Sequence, residues 1–287
     1  MLSRAIASDM ENWMSLLNDD RLITDVAIPG SHNSCSYSSD YSFSRCQSTD
    51  LPTQLRLGVR YLDLRFTLKN DELKMYHGWD DLKISFDTCL RQVKSYLEEH
   101  PSEIILLRLQ KERKYVPGLC DIYYQAIVSS FKKIGLPLVD TSDLTNFRVG
   151  DLRGKAIVVE YNNIPLYNEH RTYPHITGYS YWGYLSNRKQ VEAKWQDILK
   201  EEVPETDKHK FKRINLYSSG GRKILGITIP NPKSFTKLFV EEKFPEILEL
   251  IHNKENNKYI YIVDFEELYS GSIGKFYQTI IQSNFEN

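Results

Sequence analysis

This sequence predicts an α/β fold, a single distorted (β/α)8 barrel of the TIM type over residues 1–287, on three observations. Short apolar, β-branched runs alternate with longer amphipathic ones. No Gly/Ser-rich linker, internal repeat or low-complexity tract divides the chain. Its 287 residues suit one such barrel better than two compact domains. With 41% hydrophobic and 26% charged residues it can bury a large core. An open doubly wound sheet is the alternative, but neither a G-x-G-x-x-G nor a Walker sequence stands at any strand-to-helix turn.

The elements follow in order. The opening "MLSRAIASDMENWMSLL" reads as an amphipathic helix rather than a signal sequence. A first strand, "DVAI" (25–28), runs into a Pro-Gly turn. Further strands are expected at 59–68, 73–79, 103–110, 155–161, 214–219 and 259–265, where β-branched and aromatic residues cluster between turn signals. An eighth is sought in the Tyr-rich region 176–185. Apolar residues recur at helical spacing over 85–99, 119–134, 187–202 and 235–252, which are read as the covering helices.

Composition excludes several function classes. A net charge of −1 and the lack of a basic patch leave no electrostatic footprint for a nucleic acid. No run approaches the roughly 20 apolar residues of a transmembrane helix, so a soluble, cytoplasmic chain is expected, with signal-less export an open alternative. The four cysteines, Cys35, Cys46, Cys89 and Cys120, lack zinc spacing and are read as free thiols. Only Cys35 and Cys46 are close enough in sequence for a local bridge.

A barrel collects its chemistry at the C-terminal ends of its strands. There the sequence puts His32 after strand one, Asp63 and Arg65 towards the end of strand two, and His77 at the end of strand three, while Gln110 and Glu112 end strand four and Asp264 ends the last strand. In "YLDLRF" the alternation sets Tyr61, Asp63 and Arg65 on one face and Leu62, Leu64 and Phe66 on the other. The charged face must look into the barrel, because the apolar one has helices to meet. Buried charges are costly unless paired, so Asp63 and Arg65 need partners or a function. A salt bridge would satisfy them alone, but two histidines and a further aspartate converge on the same end. His100, His170, His175, His209 and His252 fall in loops or helix ends and are read as solvated.

Five stretches in order, "IPGSHNS", "LRLGVRYLDLRF", "MYHGW", "HPSEIILLRLQKE" and "YIVDF", together resemble the X-type catalytic domain of phosphatidylinositol-specific phospholipase C, most closely its compact bacterial-type and X-domain-only members. The likeness is strong over about 20–112 and again around 259–284. It implies cleavage of a phosphatidylinositol-type lipid to inositol 1,2-cyclic phosphate and diacylglycerol. His32 would be the general base, Asp264 its orienting carboxylate, His77 the general acid, Arg65 the phosphate clamp, and Asp63 the support of Arg65 or a neighbouring histidine. Such a reaction needs a base on the attacking hydroxyl, an acid on the leaving oxygen and positive charge on the phosphoryl group.

The family's pattern is not followed throughout. Asn33 stands where bacterial-type members carry Asp, and is expected to be a neutral hydrogen-bonding substitute. The calcium-dependent branch also has Asn there, but it places acids where this chain has Arg65 and Gln110, and a guanidinium excludes the metal by charge and volume. A metal-independent site without cofactor is therefore expected. Glu160, Trp182 and Tyr184 fall near the inositol-contacting positions and are taken, with Gln110 and Glu112, as substrate-binding candidates. Aromatic rim loops at 37–45 and 167–184 would meet the lipid surface. The expected partner is an inositol phospholipid at a membrane surface, met by a monomer. A different barrel phosphodiesterase and a catalytically impaired lipid-binding barrel are the competing readings.

Overall fold

The computed structural model describes residues 9–112, 120–140, 146–162, 164, 176–177, 184–185, 187–200, 211–224, 227–253 and 258–286. Its strands are β1 (Ile28–Ser31), β2 (Tyr61–Lys69), β3 (Glu72–His77), β4 (Asp80–Ser85), β5 (Ile105–Lys111), β6 (Val139–Asp140), β7 (Ala156–Asn162), β8 (Ile176–Thr177), β9 (Tyr184–Leu185), β10 (Phe211–Asn215), β11 (Ser219–Ile224), β12 (Ile227–Pro230) and β13 (Ile260–Val263). The helices are α1 (Leu51–Arg56), α2 (Phe86–Glu99), α3 (Cys120–Ile134), α4 (Val149–Leu152), α5 (Arg188–Lys200), α6 (Pro232–His252), α7 (Glu267–Ser270) and α8 (Lys275–Ser283).

A curled sheet runs β6-β7-β5-β2-β1-β13-β10-β8, every neighbouring pair along it parallel. The architecture is the expected α/β barrel type, in distorted form: β7 sits between β5 and β6, so spatial order departs from chain order, and among the described residues no ladder joins β6 to β8. The strand expected at 73–79 is not a stave of that barrel. It is β3, antiparallel to an overlong β2 and followed by antiparallel β4. Asn70 and Asp71 both take left-handed φ (51° and 60°), the two-residue turn that joins paired strands with the right twist. Val139–Asp140 and Ile176–Thr177 supply barrel strands instead, the latter within the region searched for an eighth. A second sheet, β12-β11-β9, stands apart.

Alternation sorts the core as predicted. Leu62, Leu64 and Phe66 face outward with Leu107 and Leu109 against Phe86, Leu90 and Val93 of α2 and Phe131 of α3. Tyr61, Leu106, Ile157 and Ile262 face inward. Trp13 and Met14 pack on that inner set from below, so the start of the described chain is a 3-10 turn, Trp13–Leu16, plugging the barrel floor, and not an amphipathic helix; residues 1–8 lie outside the described residues.

The first strand is Ile28–Ser31, not 25–28, so Pro29 and Gly30 lie inside it rather than in a turn. Gly30 has ordinary φ; a Cβ there would meet Tyr61 Cδ1 at 3.2 Å and Ile260 Cγ2 and Ile262 Cγ1 at 3.3 Å. The glycine makes room for Tyr61 in the barrel interior. At the far end of the chain, the strand expected at 214–219 starts earlier and ends at Asn215, which leaves Tyr217 beyond it, at the mouth.

Candidate active site

The strand ends bring His32, Asp63, Arg65, Arg108, Gln110, Glu112 and Asp264 together, with His77 delivered by the β2–β3 hairpin. Register stacks two polar rows across the sheet. Asp63, Arg108 and Glu160 lie side by side, and one pleat nearer the mouth so do Arg65, Gln110 and Asn162. Glu160 owes its place to a register shift between Leu107 and Arg108; regular pairing would have set Val159 there.

His32 is nearly fully enclosed, at 4% exposure. Its Nδ1 is 2.8 Å from Asp264 Oδ1, and its ring stacks on Tyr217, centroids 3.6 Å apart and 9° from parallel. With Nδ1 held there, Nε2 is the nitrogen left to act. It has no hydrogen-bond partner and lies 3.9 Å from Asp63 Oδ2. Burial foremost, and then the Arg65 cation, push the His32 imidazole well below its ordinary pKa, against the pull of Asp63. Burial pushes the Asp264 carboxyl well above the ordinary carboxylate range, opposed by Arg65.

His77 stands edge-on to His32, ring centroids 6.3 Å apart at 88°. Its Nδ1–H donates to the Ser44 carbonyl, which leaves Nε2 as the outward nitrogen. Burial, then Arg65, lowers its pKa, partly offset by the Ser44 carbonyl and by Glu112. Both imidazoles are thereby biased to the neutral form.

Arg65 rests Nε and Nη2 on Asp63 Oδ2, at 2.9 and 2.8 Å, and Nη1 on Glu112 Oε1 at 3.3 Å. Although burial acts to raise it, Arg65 and Arg108 hold the Asp63 carboxyl far below the usual range. Gln110 bridges Glu112, at 3.4 Å, and Asn162, at 3.2 Å. Glu160 lies between Arg108, Nε to Oε1 at 3.3 Å, and Arg213, so it is an internal counterion of two guanidiniums.

Asn33 departs from expectation. Its backbone N–H donates to Asp63 Oδ2 at 3.0 Å, with φ at 44°, but neither end of its buried amide has a hydrogen-bond partner. The side chain is thus no hydrogen-bonding substitute for an aspartate in this arrangement. The backbone of Tyr184 pairs with Ser219 in the second sheet. Trp182, His170, His175 and His209 lie outside the described residues. His100 is not solvated: its Nδ1 is bonded to Asn12 Oδ1 at 2.8 Å. Cys35 does not meet Cys46; its sulfur lies against Cys89.

Sequence reasoning missed Arg108, Arg213 and Tyr217. Alternation in "RLQKE" already puts Arg108 on the face of Gln110 and Glu112, and reading two residues further back would have found it. Arg213 and Tyr217 were hidden by the misplaced strand, since Arg213, Asn215 and Tyr217 alternate on one face. Lys194 of α5, also unanticipated, is buried with its Nζ donating to the Tyr217 carbonyl. Burial brings its ammonium down to about 7, against the attraction of Asp264.

Among the described residues His32, Cys46 and Asp264 offer donor atoms within 4.8 Å of one another, a set that could ligate a metal. His32 Nδ1 and Asp264 Oδ1 are committed to each other, while His32 Nε2 and Asp264 Oδ2 have no hydrogen-bond partner. At Asn33 and Asp63, Asp63 Oδ2 is committed to Arg65 and to the Asn33 N–H, while Asp63 Oδ1 and the Asn33 amide have no hydrogen-bond partner.

The sequence model of the family described as phosphatidylinositol-specific phospholipase C, X domain, matches residues 20–161. The 1-phosphatidylinositol phosphodiesterase of Listeria monocytogenes is 30% identical over 161 residues, 53% of this chain and 49% of that protein. PI-PLC X domain-containing protein 1 of Homo sapiens is 27% identical over 220 residues, 64% of this chain and 65% of that one. The chain thus spans less than two thirds of the length of these curated relatives. Its fold is that of the phosphatidylinositol-specific phospholipase C from Listeria monocytogenes, TM-score 0.73 at 23% identity, covering 96% of this chain and 99% of that structure. A Staphylococcus aureus structure of the same description gives 0.72 at 20%, covering 97% and 99%. Residues 20–161, just under half of the chain, thus match the phosphatidylinositol-specific phospholipase C X-domain family.

Proposed function

We propose that this protein is a metal-independent phosphatidylinositol-specific phospholipase C, acting as one catalytic barrel on lipid at a membrane surface and releasing inositol 1,2-cyclic phosphate and diacylglycerol. The observation that carries the reading is the facing pair of imidazoles: His32, Nδ1 tied to Asp264 and Nε2 unbonded, and His77, 6.3 Å away, with Arg65 beside them. His32 Nε2 takes the proton of the inositol 2-hydroxyl, whose oxygen attacks phosphorus. Arg65, its remaining N–H groups uncommitted to Asp63 and Glu112, holds a phosphoryl oxygen. His77 gives its proton to the departing diacylglycerol oxygen. The neutral bias of His77 means that it must take up that proton as the anionic phosphate binds.

Gln110, Glu112 and the Arg108–Glu160–Arg213 chain are assigned to the headgroup, since carboxylates and guanidiniums can serve a polyol as acceptors and donors. Trp79, Tyr41 and Phe43, exposed at 83%, 54% and 42%, flank His77 and Ser44 in sequence and supply apolar contact with the lipid surface. The deciding experiment incubates the purified chain with phosphatidylinositol vesicles, with and without chelator, and identifies the phosphorus product. Cyclic phosphate at equal rates in both is expected. No turnover despite vesicle binding would establish a non-catalytic lipid-binding barrel, and loss on chelation reversed by calcium would overturn metal independence.

A further inference from the structure

Cys35 and Cys89 are 54 residues apart in sequence, yet their sulfurs are 3.3 Å apart, enclosed at 1% and 0% exposure between the loop after β1 and helix α2. We propose that Cys35 and Cys89 form a disulfide under oxidising conditions, cross-linking the loop that carries His32 to α2. Bonded sulfurs lie about 2.05 Å apart, so closure asks for a movement of about 1.3 Å, which small side-chain rotations supply. The neighbouring geometry is already set. Ser34 N–H donates to the Asp63 carbonyl at 2.9 Å and Gln54 Nε2 to the Ser34 carbonyl at 2.8 Å, so Cys35 is held against α2 whether or not the bond exists.

The remaining described thiol, Cys46, lies elsewhere, 4.0 Å from His77 Nδ1. In the reduced pair the bond to Cys89 foremost, and then burial, keep the Cys35 thiol protonated. The folded, reduced protein is therefore slow to react, and the cross-link forms while one sulfur is still accessible, during folding or a transient opening. The reaction is thiol–disulfide exchange with a small-molecule disulfide. One thiolate attacks that disulfide and releases one of its halves as a thiol. The second cysteine then displaces the other half, also as a thiol. The Cys35–Cys89 bond forms, the oxidant's S–S bond breaks and takes the electron pair, and the two cysteine protons end on the two released thiols.

The cross-link is tested by refolding the chain in oxidised and reduced glutathione, alkylating the remaining thiols, digesting without reductant and mapping the linked peptides. A Cys35–Cys89 linkage with Cys46 and Cys120 alkylated is expected. So is a fall in Tm of roughly 5–10 °C when dithiothreitol is added, since the bond closes a loop of this length. Cys46→Ser should leave the linkage in place, which separates it from a pairing through the active site. Four alkylated cysteines after oxidative refolding, or a linkage between any other pair, would overturn the proposal. Neither readout depends on catalysis, so the outcome is independent of the proposed activity.

Discussion

His32 is bounded on every side that matters to its chemistry: Asp264 at Nδ1, the Tyr217 ring on its face, Asp63 beyond Nε2. Replacing His32 or His77 by Ala should each lower turnover on phosphatidylinositol by about two to four orders of magnitude while leaving the melting transition in place. Near-normal turnover in either variant would remove that residue from the reaction. Because both imidazoles are shifted below their ordinary value, the pH window follows. His32 is an available base even in mildly acid solution, and His77 in the unliganded protein keeps its proton only below the ordinary histidine range. Measured kcat/KM should therefore peak below about pH 6.5 and fall as pH rises; an optimum on the alkaline side would contradict the acid role of His77. The Tyr217 ring gives the imidazolium a π-face where burial otherwise opposes its charge. Tyr217→Leu should move the acid limb of the pH profile to lower pH and cut kcat, while Tyr217→Phe should restore both. A Leu variant with an unmoved profile would make the stack merely structural. At this scale the sequence was most legible, because strand alternation alone assigns Asp63, Arg65, Gln110 and Glu112 to one face. It could not show that Asn33 contributes its backbone N–H and not its amide, since that depends on the turn at φ 44°.

Among the elements, β1 and the β2–β3 hairpin do most to set the site. β1 is short and glycine-containing because Tyr61 fills the space its side chain would occupy. Gly30→Ala should destabilise the fold by about 1–3 kcal/mol through overpacking, readable as a lower denaturant midpoint. Unchanged stability would mean that Tyr61, Ile260 and Ile262 give way freely. His77 reaches the mouth on a hairpin arm and not on a barrel stave. The histidine was visible in "MYHGW", but the antiparallel course of its strand depends on the two left-handed residues of the Asn70–Asp71 turn. The four long helices appear where apolar spacing put them, because amphipathic periodicity is a local property. The strand at 214–219 was misplaced because Leu216 and Tyr217 are as apolar as the residues of β10 itself, and only pairing with β13 tells them apart.

For the molecule as a whole, the barrel floor holds a fully buried ion pair away from the chemistry: Arg60 Nη2 and Nε lie 2.7 and 2.8 Å from Glu103 Oε2, with the guanidinium also donating to the Leu55, Val59 and Glu11 carbonyls. Glu103→Gln should cost about 3–5 kcal/mol in unfolding free energy by stranding a buried cation, with catalytic constants of the still-folded fraction unchanged. A loss below about 1 kcal/mol would show that the carbonyls alone satisfy Arg60. By itself the sequence determined the alternation of β and α segments, the inward charged face of β2, and which residue types stand at strand ends, since these follow from side-chain period and chain order. The tertiary structure alone decided that β7 lies between β5 and β6, that a register shift sets Glu160 between Arg108 and Arg213, and that Cys35 meets Cys89 and not Cys46. Those pairings join residues distant in the chain, and their energy comes from packing and charge neutralisation across the barrel, which no local pattern records.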